Sequence, residues 1–255
     1  MDDESNKAVV IGNRMGFGYT GLAKIGAEPT DAWLASTAAE VPSTDLKAVC
    51  DHIARRATEA FANLRIDRRL SRHAFIGVGW TARIGSAALH PTLCTISNAI
   101  DGSGEWKPLA DPSFTLQVNN WDRFGAGFGI AAAGQTLRRE EKYAMWRLIR
   151  RCVKKGTGPP AILRALVIAM NYSATKYNSV GRSLMALCMP RAAVERFMET
   201  GEAIFLAGVP LTEQNTFRYL RPGGSPVTYG PLFALHGWAV LGFESGPVKP
   251  DAPKS

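Results

Sequence analysis

The sequence predicts an α+β protein with helices outside two stacked sheets. Three observations point there. The predicted elements run as strands, two helices, strands, two helices, strands. The strand candidates are short runs of β-branched and aromatic residues bounded by turn signals, while the helix candidates carry apolar residues at helical spacing. No internal repeat or linker divides the chain, and two consecutive helices after a hairpin suit one helical layer packed on a sheet.

The elements follow in order. Ala8–Gly12 and Met15–Thr20 read as two strands joined by Asn13-Arg14, a connection short enough for a hairpin. Pro29-Thr30-Asp31 opens a helix, with Thr30 or Asp31 as N-cap. After Pro42-Ser43-Thr44-Asp45, the residues Leu46, Val49, Ile53, Ala57, Ala60, Phe61 and Leu64 recur on one helical face. His73–Ala82, Thr92–Ala99, Ser113–Asn119 and Phe128–Ala133 read as strands. Helices are expected from Arg138 to about Lys155 and from Pro159 to about Asn178, separated by Gly156-Thr157-Gly158. Ser183–Met189 is a further strand, Ala192–Glu199 a short helix, and Thr216–Leu220 and Pro231–Val240 late strands. Residues 1–245 are read as one domain, with 191–245 as a C-terminal extension, and the Pro- and Lys-rich tail 246–255 is expected to be disordered.

Bulk properties narrow the function classes. The 255 residues are 46% hydrophobic and 20% charged, as in an ordinary globular domain. No apolar run approaches the roughly 20 residues that span a bilayer. The acidic start Met1-Asp2-Asp3-Glu4 lacks the apolar segment of a signal peptide, so a cytoplasmic protein without a membrane partner is expected. Cys50, Cys94, Cys152 and Cys188 form no CxxC pair, and His52, His73, His90 and His236 are equally scattered. No metal site and no cofactor is expected, and structural or surface roles are assigned to all eight residues.

The net charge of +8 is concentrated locally, with Arg138, Arg139, Lys142, Arg147, Arg150, Arg151, Lys154 and Lys155 in one helical segment beside Glu140 and Glu141. No RRM, KH or zinc-finger pattern accompanies them, so nucleic acid is not an expected partner, and the segment reads as a solvated or subunit-facing helix. Gly125-Ala126-Gly127-Phe128-Gly129 departs from the spacing of a dinucleotide loop. Ser173-Ala174-Thr175-Lys176 spells S-x-x-K without the S-D-N and K-T-G that accompany it in penicillin-binding proteins.

The opening carries the most specific signal. Lys7 stands at the mouth of the first strand, and Gly21 follows the second strand after Tyr19-Thr20, fourteen residues on. This arrangement resembles the proteasome-like branch of the N-terminal nucleophile (Ntn) hydrolases, and the order of elements agrees with that family's four-layer αββα sandwich. The resemblance runs from Asp2 to about Arg191. It is sharpest over residues 2–34, and it is closer to bacterial proteasome-like proteins than to 20S β subunits.

The resemblance implies a threonine-type peptidase or amidohydrolase, acting on a peptide or amide within a homo-oligomer. Lys7 would lower the pKa of the nucleophile and its α-amine, and the Gly21 N–H would hold the oxyanion. Tyr19, Thr20 and Ala23 would border the substrate pocket. The plain alternatives are an exposed lysine at a strand end, a turn glycine and a half-buried strand aromatic. Three departures stand against simple activity. The family's nucleophile strand would precede Lys7, so the chain as it stands is expected to be inactive, with a sheet edge or a core face left exposed. Ala132 replaces a supporting serine. Ser179 matches the serine of the later Asp-x-x-Ser-Gly segment, but Lys176 stands where the aspartate belongs. A non-catalytic scaffold of the same fold is therefore the second expectation.

Overall fold

The computed structural model describes residues 8–11, 15–41, 46–82, 89–102, 105–120, 138–156, 158–177, 191, 195, 199, 219–220, 226–229, 232–235, 238–240 and 244–245. The elements are β1 (Ala8–Ile11), β2 (Met15–Thr20), β3 (Lys24–Ile25), β4 (Glu28–Pro29), α1 (Thr30–Ala39), α2 (Leu46–Ala62), β5 (Ala74–Ala82), β6 (Leu89–Ser97), β7 (Thr115–Asn120), α3 (Arg139–Lys154), α4 (Gly158–Lys176), β8 (Tyr219–Leu220), β9 (Pro226–Tyr229), β10 (Leu232–Leu235), β11 (Trp238–Val240) and β12 (Glu244–Ser245). The expected strands Phe128–Ala133 and Ser183–Met189, most of the helix Ala192–Glu199 and the tail 246–255 lie outside the described residues.

The protein is mixed α+β, built on a seven-stranded sheet in the order β11-β10-β1-β2-β5-β6-β7. Every pairing in it is antiparallel except that of β1 with β10, where Val9, Val10 and Ile11 run parallel to Leu232, Phe233 and Ala234. This corrects one expectation: β1 is an interior strand, because β10 takes up the hydrogen-bonding groups of its outer side. The expected single strand Pro231–Val240 instead divides into β10 and β11, which pair antiparallel with each other. Smaller sheets are β12-β9-β8 and β3-β4.

Strand alternation sends Val9, Ile11, Met15, Phe17, Tyr19, Phe75, Cys94 and Ile96 to one face, where they form a continuous core with α1 and α2. The stripe expected on α2 is the buried one, through Leu46, Val49, Ile53, Ala57 and Phe61. In α1, by contrast, seven of ten residues are buried, so no polar face survives. Its position explains this, since α1 touches α2 on one side and β1, β10 and β11 on the other. Gly77 lies between Phe17 on β2 and Cys94 on β6. A Cβ there would come within 2.6 Å of the Phe17 ring and the Cys94 sulfur, so glycine makes the room that Phe17 fills. On the opposite face Ala8, Val10, Ala74 and Leu93 are also buried, while Val78 of β5 is exposed.

The helices α3 and α4 pack on each other. At the start of α3 the Glu141 carboxylate accepts the Arg138 N–H at 2.8 Å, and Glu140 and Glu141 sit in the first turn with Arg151 and Lys154 in the last, each sign matched to the helix dipole. None of the helices among the described residues is long and apolar enough to cross a membrane.

Candidate functional site

The turn after β2 gathers the sequence-predicted residues Tyr19, Thr20, Gly21 and Ala23. Strand pairing ends at Thr20, opposite Ala74. Gly21 then takes φ +119°, a conformation that side-chain-bearing residues rarely adopt, and it is exposed to solvent. A Cβ on Gly21 would lie 2.6 Å from both the Arg72 carbonyl oxygen and His73 Nδ1. Glycine is thus required twice, by its backbone angle and by the close approach of the segment before β5.

The turn is held from beneath by His73. This side chain is fully buried, and its Nδ1 accepts the Leu22 N–H at 3.1 Å. An accepting Nδ1 carries no proton, so the ring is the tautomer protonated on Nε2. Aromatic rings surround it: Tyr19 stacks at 6.0 Å between centroids, Phe75 lies at 4.6 Å, Phe61 at 5.4 Å and Phe114 at 6.3 Å.

The backbone of His73 is fixed in turn by the end of β6. Its N–H donates to Asn98 Oδ1 at 2.8 Å, and its carbonyl accepts the Ser97 hydroxyl at 2.8 Å. Ser97 Oγ itself accepts the N–H groups of Ala99 and Ile100 at 2.9 and 3.1 Å, and Asn98 Nδ2 donates to the Ser71 carbonyl at 3.0 Å. A continuous relay of hydrogen bonds therefore runs from Ser97 and Asn98 through His73 to Leu22, next to Gly21.

The other end of the turn is tied by Thr30. Its N–H donates to the Ala23 carbonyl at 3.0 Å and its hydroxyl to the Leu22 carbonyl at 2.8 Å. This revises the expected N-cap. Pro29 occupies the cap position of α1 without a side-chain bond, and Thr30 is the first helical residue. Its hydroxyl is engaged backwards, closing the loop.

The site residues divide by exposure. Gly21 and Ala23 are exposed and Thr20 is half-buried, while Tyr19 is 8% exposed and belongs to the core beneath the turn. Lys7, Ala132 and Ser179 lie outside the described residues. Lys176 pairs with Glu141 across α3 and α4, and Ser173 donates to the Ala169 carbonyl of its own helix at 3.0 Å, so the Ser and Lys of S-x-x-K both have partners.

Compared with known proteins, the chain matches no family model, no curated protein and no solved structure. The chemistry must therefore be weighed from its own residues. Among the described residues no group of three or more His, Cys, Asp or Glu could hold a metal ion. Cys50 and Cys94 face each other at 3.7 Å between sulfurs, both buried. The hydrogen bond with Cys50, and then burial, hold the Cys94 thiol well above the usual thiol range, which suits a packing residue and not a nucleophile. A separate open groove of about 490 Å³ runs between α2 and β7, lined by Asp51, Arg55 and Glu59 above Phe114 and Leu116, and shares no residue with the turn.

His73 is the functional-region residue that sequence reasoning missed. It lies 51 positions from its partner Leu22. The signal available was weak: one histidine immediately before a strong apolar strand, at a position that pairing would bring beside the end of β2.

Proposed function

We propose that the chain is a proteasome-like Ntn-hydrolase relative in which the Gly21 turn forms the oxyanion side of an amide-cleaving site. The reading rests on one observation above all: an exposed positive-φ glycine at the end of the second strand, held rigid by a buried histidine. Oxyanion stabilisation works by donors fixed in place before the reaction, because a donor that must reorganise loses most of its advantage. A solvent-exposed glycine on a loop tied at Leu22, Ala23 and Thr30 meets that requirement. Burial of Ala8, Val10, Ala74 and Leu93 on the far face of the main sheet supports a sandwich in which a second sheet completes the four αββα layers.

In this reading the nucleophile is a Thr, Ser or Cys whose own α-amine takes its proton. Its oxygen or sulfur attacks the substrate carbonyl carbon, the carbonyl oxygen becomes an oxyanion facing the Gly21 N–H, and the proton passes to the leaving amine. Water then releases the acyl group. Lys7 would stand beside the nucleophile as the cation that favours its ionised form. Thr20 and Ala23 would border the substrate side chain, with Tyr19 supporting them from the core. A homo-oligomer acting in the cytoplasm accompanies this reading.

Lys176 favours a second reading. Its pairing with Glu141 gives the residue at the family's aspartate position a task in helix packing, as in a non-catalytic scaffold of the same fold. The two readings separate on protein purified from its native cell. The hydrolase reading expects turnover of fluorogenic peptides and a single label from a peptide vinyl sulfone, with both lost in Lys7→Ala. Absence of turnover and label in the native protein would overturn it and leave the scaffold.

A further inference from the structure

We propose that the outward face of α3 binds single-stranded nucleic acid. Between Arg138 and Lys155 eight cations meet two carboxylates, so this one segment carries six of the chain's eight excess positive charges. The fold sorts them. Ile149, 4% exposed, lies on the side of α3 turned inward, while Tyr143 (59% exposed), Trp146 (37%), Arg147, Arg150 and Lys154 recur at helical spacing on the opposite side.

The rings and guanidiniums on that face are already organised. Tyr143 and Trp146 lie 6.3 Å apart with planes inclined by only 16°. The Arg147 guanidinium sits 5.7 Å over Tyr143 and that of Arg150 4.8 Å over Trp146. Among the described residues no ion pair engages Arg147, Arg150, Arg151 or Lys154. Glu141, the carboxylate near the start of the helix, is instead taken by Lys176, the Tyr177 hydroxyl and the Arg138 N–H.

Flat aromatic faces interleaved with unneutralised cations are what an unpaired strand requires, since bases stack on the rings and phosphates take the charges. Other occupants fit less well. A second copy meeting this face with its own would set like charge against like charge. A lipid surface calls for an apolar face that enters it, whereas both rings of this face carry a guanidinium over them. The proposal departs from the expectation drawn from motifs, which register sequence patterns and not an exposed helical face.

The test uses the full chain and a fluorescein-labelled single strand of about 20 nucleotides, as DNA and as RNA, followed by anisotropy across a salt series. Binding should weaken steeply with salt. Trp146→Ala should weaken it about tenfold, and Arg147→Glu with Arg150→Glu should reduce it at least about a hundredfold, with circular dichroism unchanged. No binding at low salt would overturn the proposal, as would affinity unmoved by these variants. Polyglutamate or phosphatidylserine vesicles bound as tightly as the oligonucleotide would also overturn it, reassigning the face to an acidic protein or to a membrane.

Discussion

The sheet with α1 and α2 and the α3–α4 pair are two solutions to placing helices in one chain. In the first, the helices are nearly consumed by the core: α1 keeps no polar face, and α2 buries its apolar stripe against Phe75, Cys94 and Ile96. In the second, α3 buries Ile149 but turns Tyr143, Trp146, Arg147, Arg150 and Lys154 to solvent. The first region holds a turn rigid from below, as catalysis on a backbone N–H demands. The second offers a surface. Burial and rigidity go with the candidate site, and exposed charge goes with the candidate interface.

Mutations can break this contrast, and the largest effect belongs to the core. Phe75 is fully buried between Trp33, His73 and Phe114. Phe75→Ala should lower unfolding free energy by about 3–5 kcal/mol, read from the urea midpoint at unchanged m-value. Ile149→Ala, the corresponding deletion under α3, should cost about 2–4 kcal/mol in the same assay. If it costs nothing, α3 is not fixed through that face.

Gly21→Ala comes next. The added Cβ meets His73 Nδ1 and the Arg72 carbonyl in a backbone region alanine resists, so about 1–3 kcal/mol should be lost. Under the hydrolase reading turnover should fall further than stability accounts for, seen as a drop in kcat at temperatures where the variant is fully folded. Ser97→Ala removes the Ser97 half of the relay behind His73 and should cost about 1–2 kcal/mol by thermal unfolding. Trp146→Ala is expected to cost about 1 kcal/mol, less than Ile149→Ala, while weakening oligonucleotide binding. A large stability loss there would show the ring to be structural.

The sequence was most legible where a single element states its own period. The β1–β2 hairpin register and the α2 stripe follow from local alternation and helical spacing. Contacts across long separations were not legible. The parallel pairing of β1 with β10 joins residues more than 200 positions apart, and nothing local in Leu232–Leu235 distinguishes a main-sheet strand from an edge hairpin. Thr30 carried the correct residue type for a cap, but competition from the Leu22 carbonyl decided its hydroxyl's partner. At the site, Gly21 stood out because glycine after a strand is a local signal. His73 did not, because its role exists only once β5 has paired with β2.

The central claim, that the Gly21 turn serves an N-terminal nucleophile, is tested most directly by the intact mass and N-terminal sequence of the protein isolated from its native cell. An N-terminus of Thr, Ser or Cys ahead of Lys7 is the predicted result, since the catalytic amine must belong to the nucleophile itself. A native chain beginning at Met1 would contradict the hydrolase account and leave the rigid turn as part of a non-catalytic scaffold.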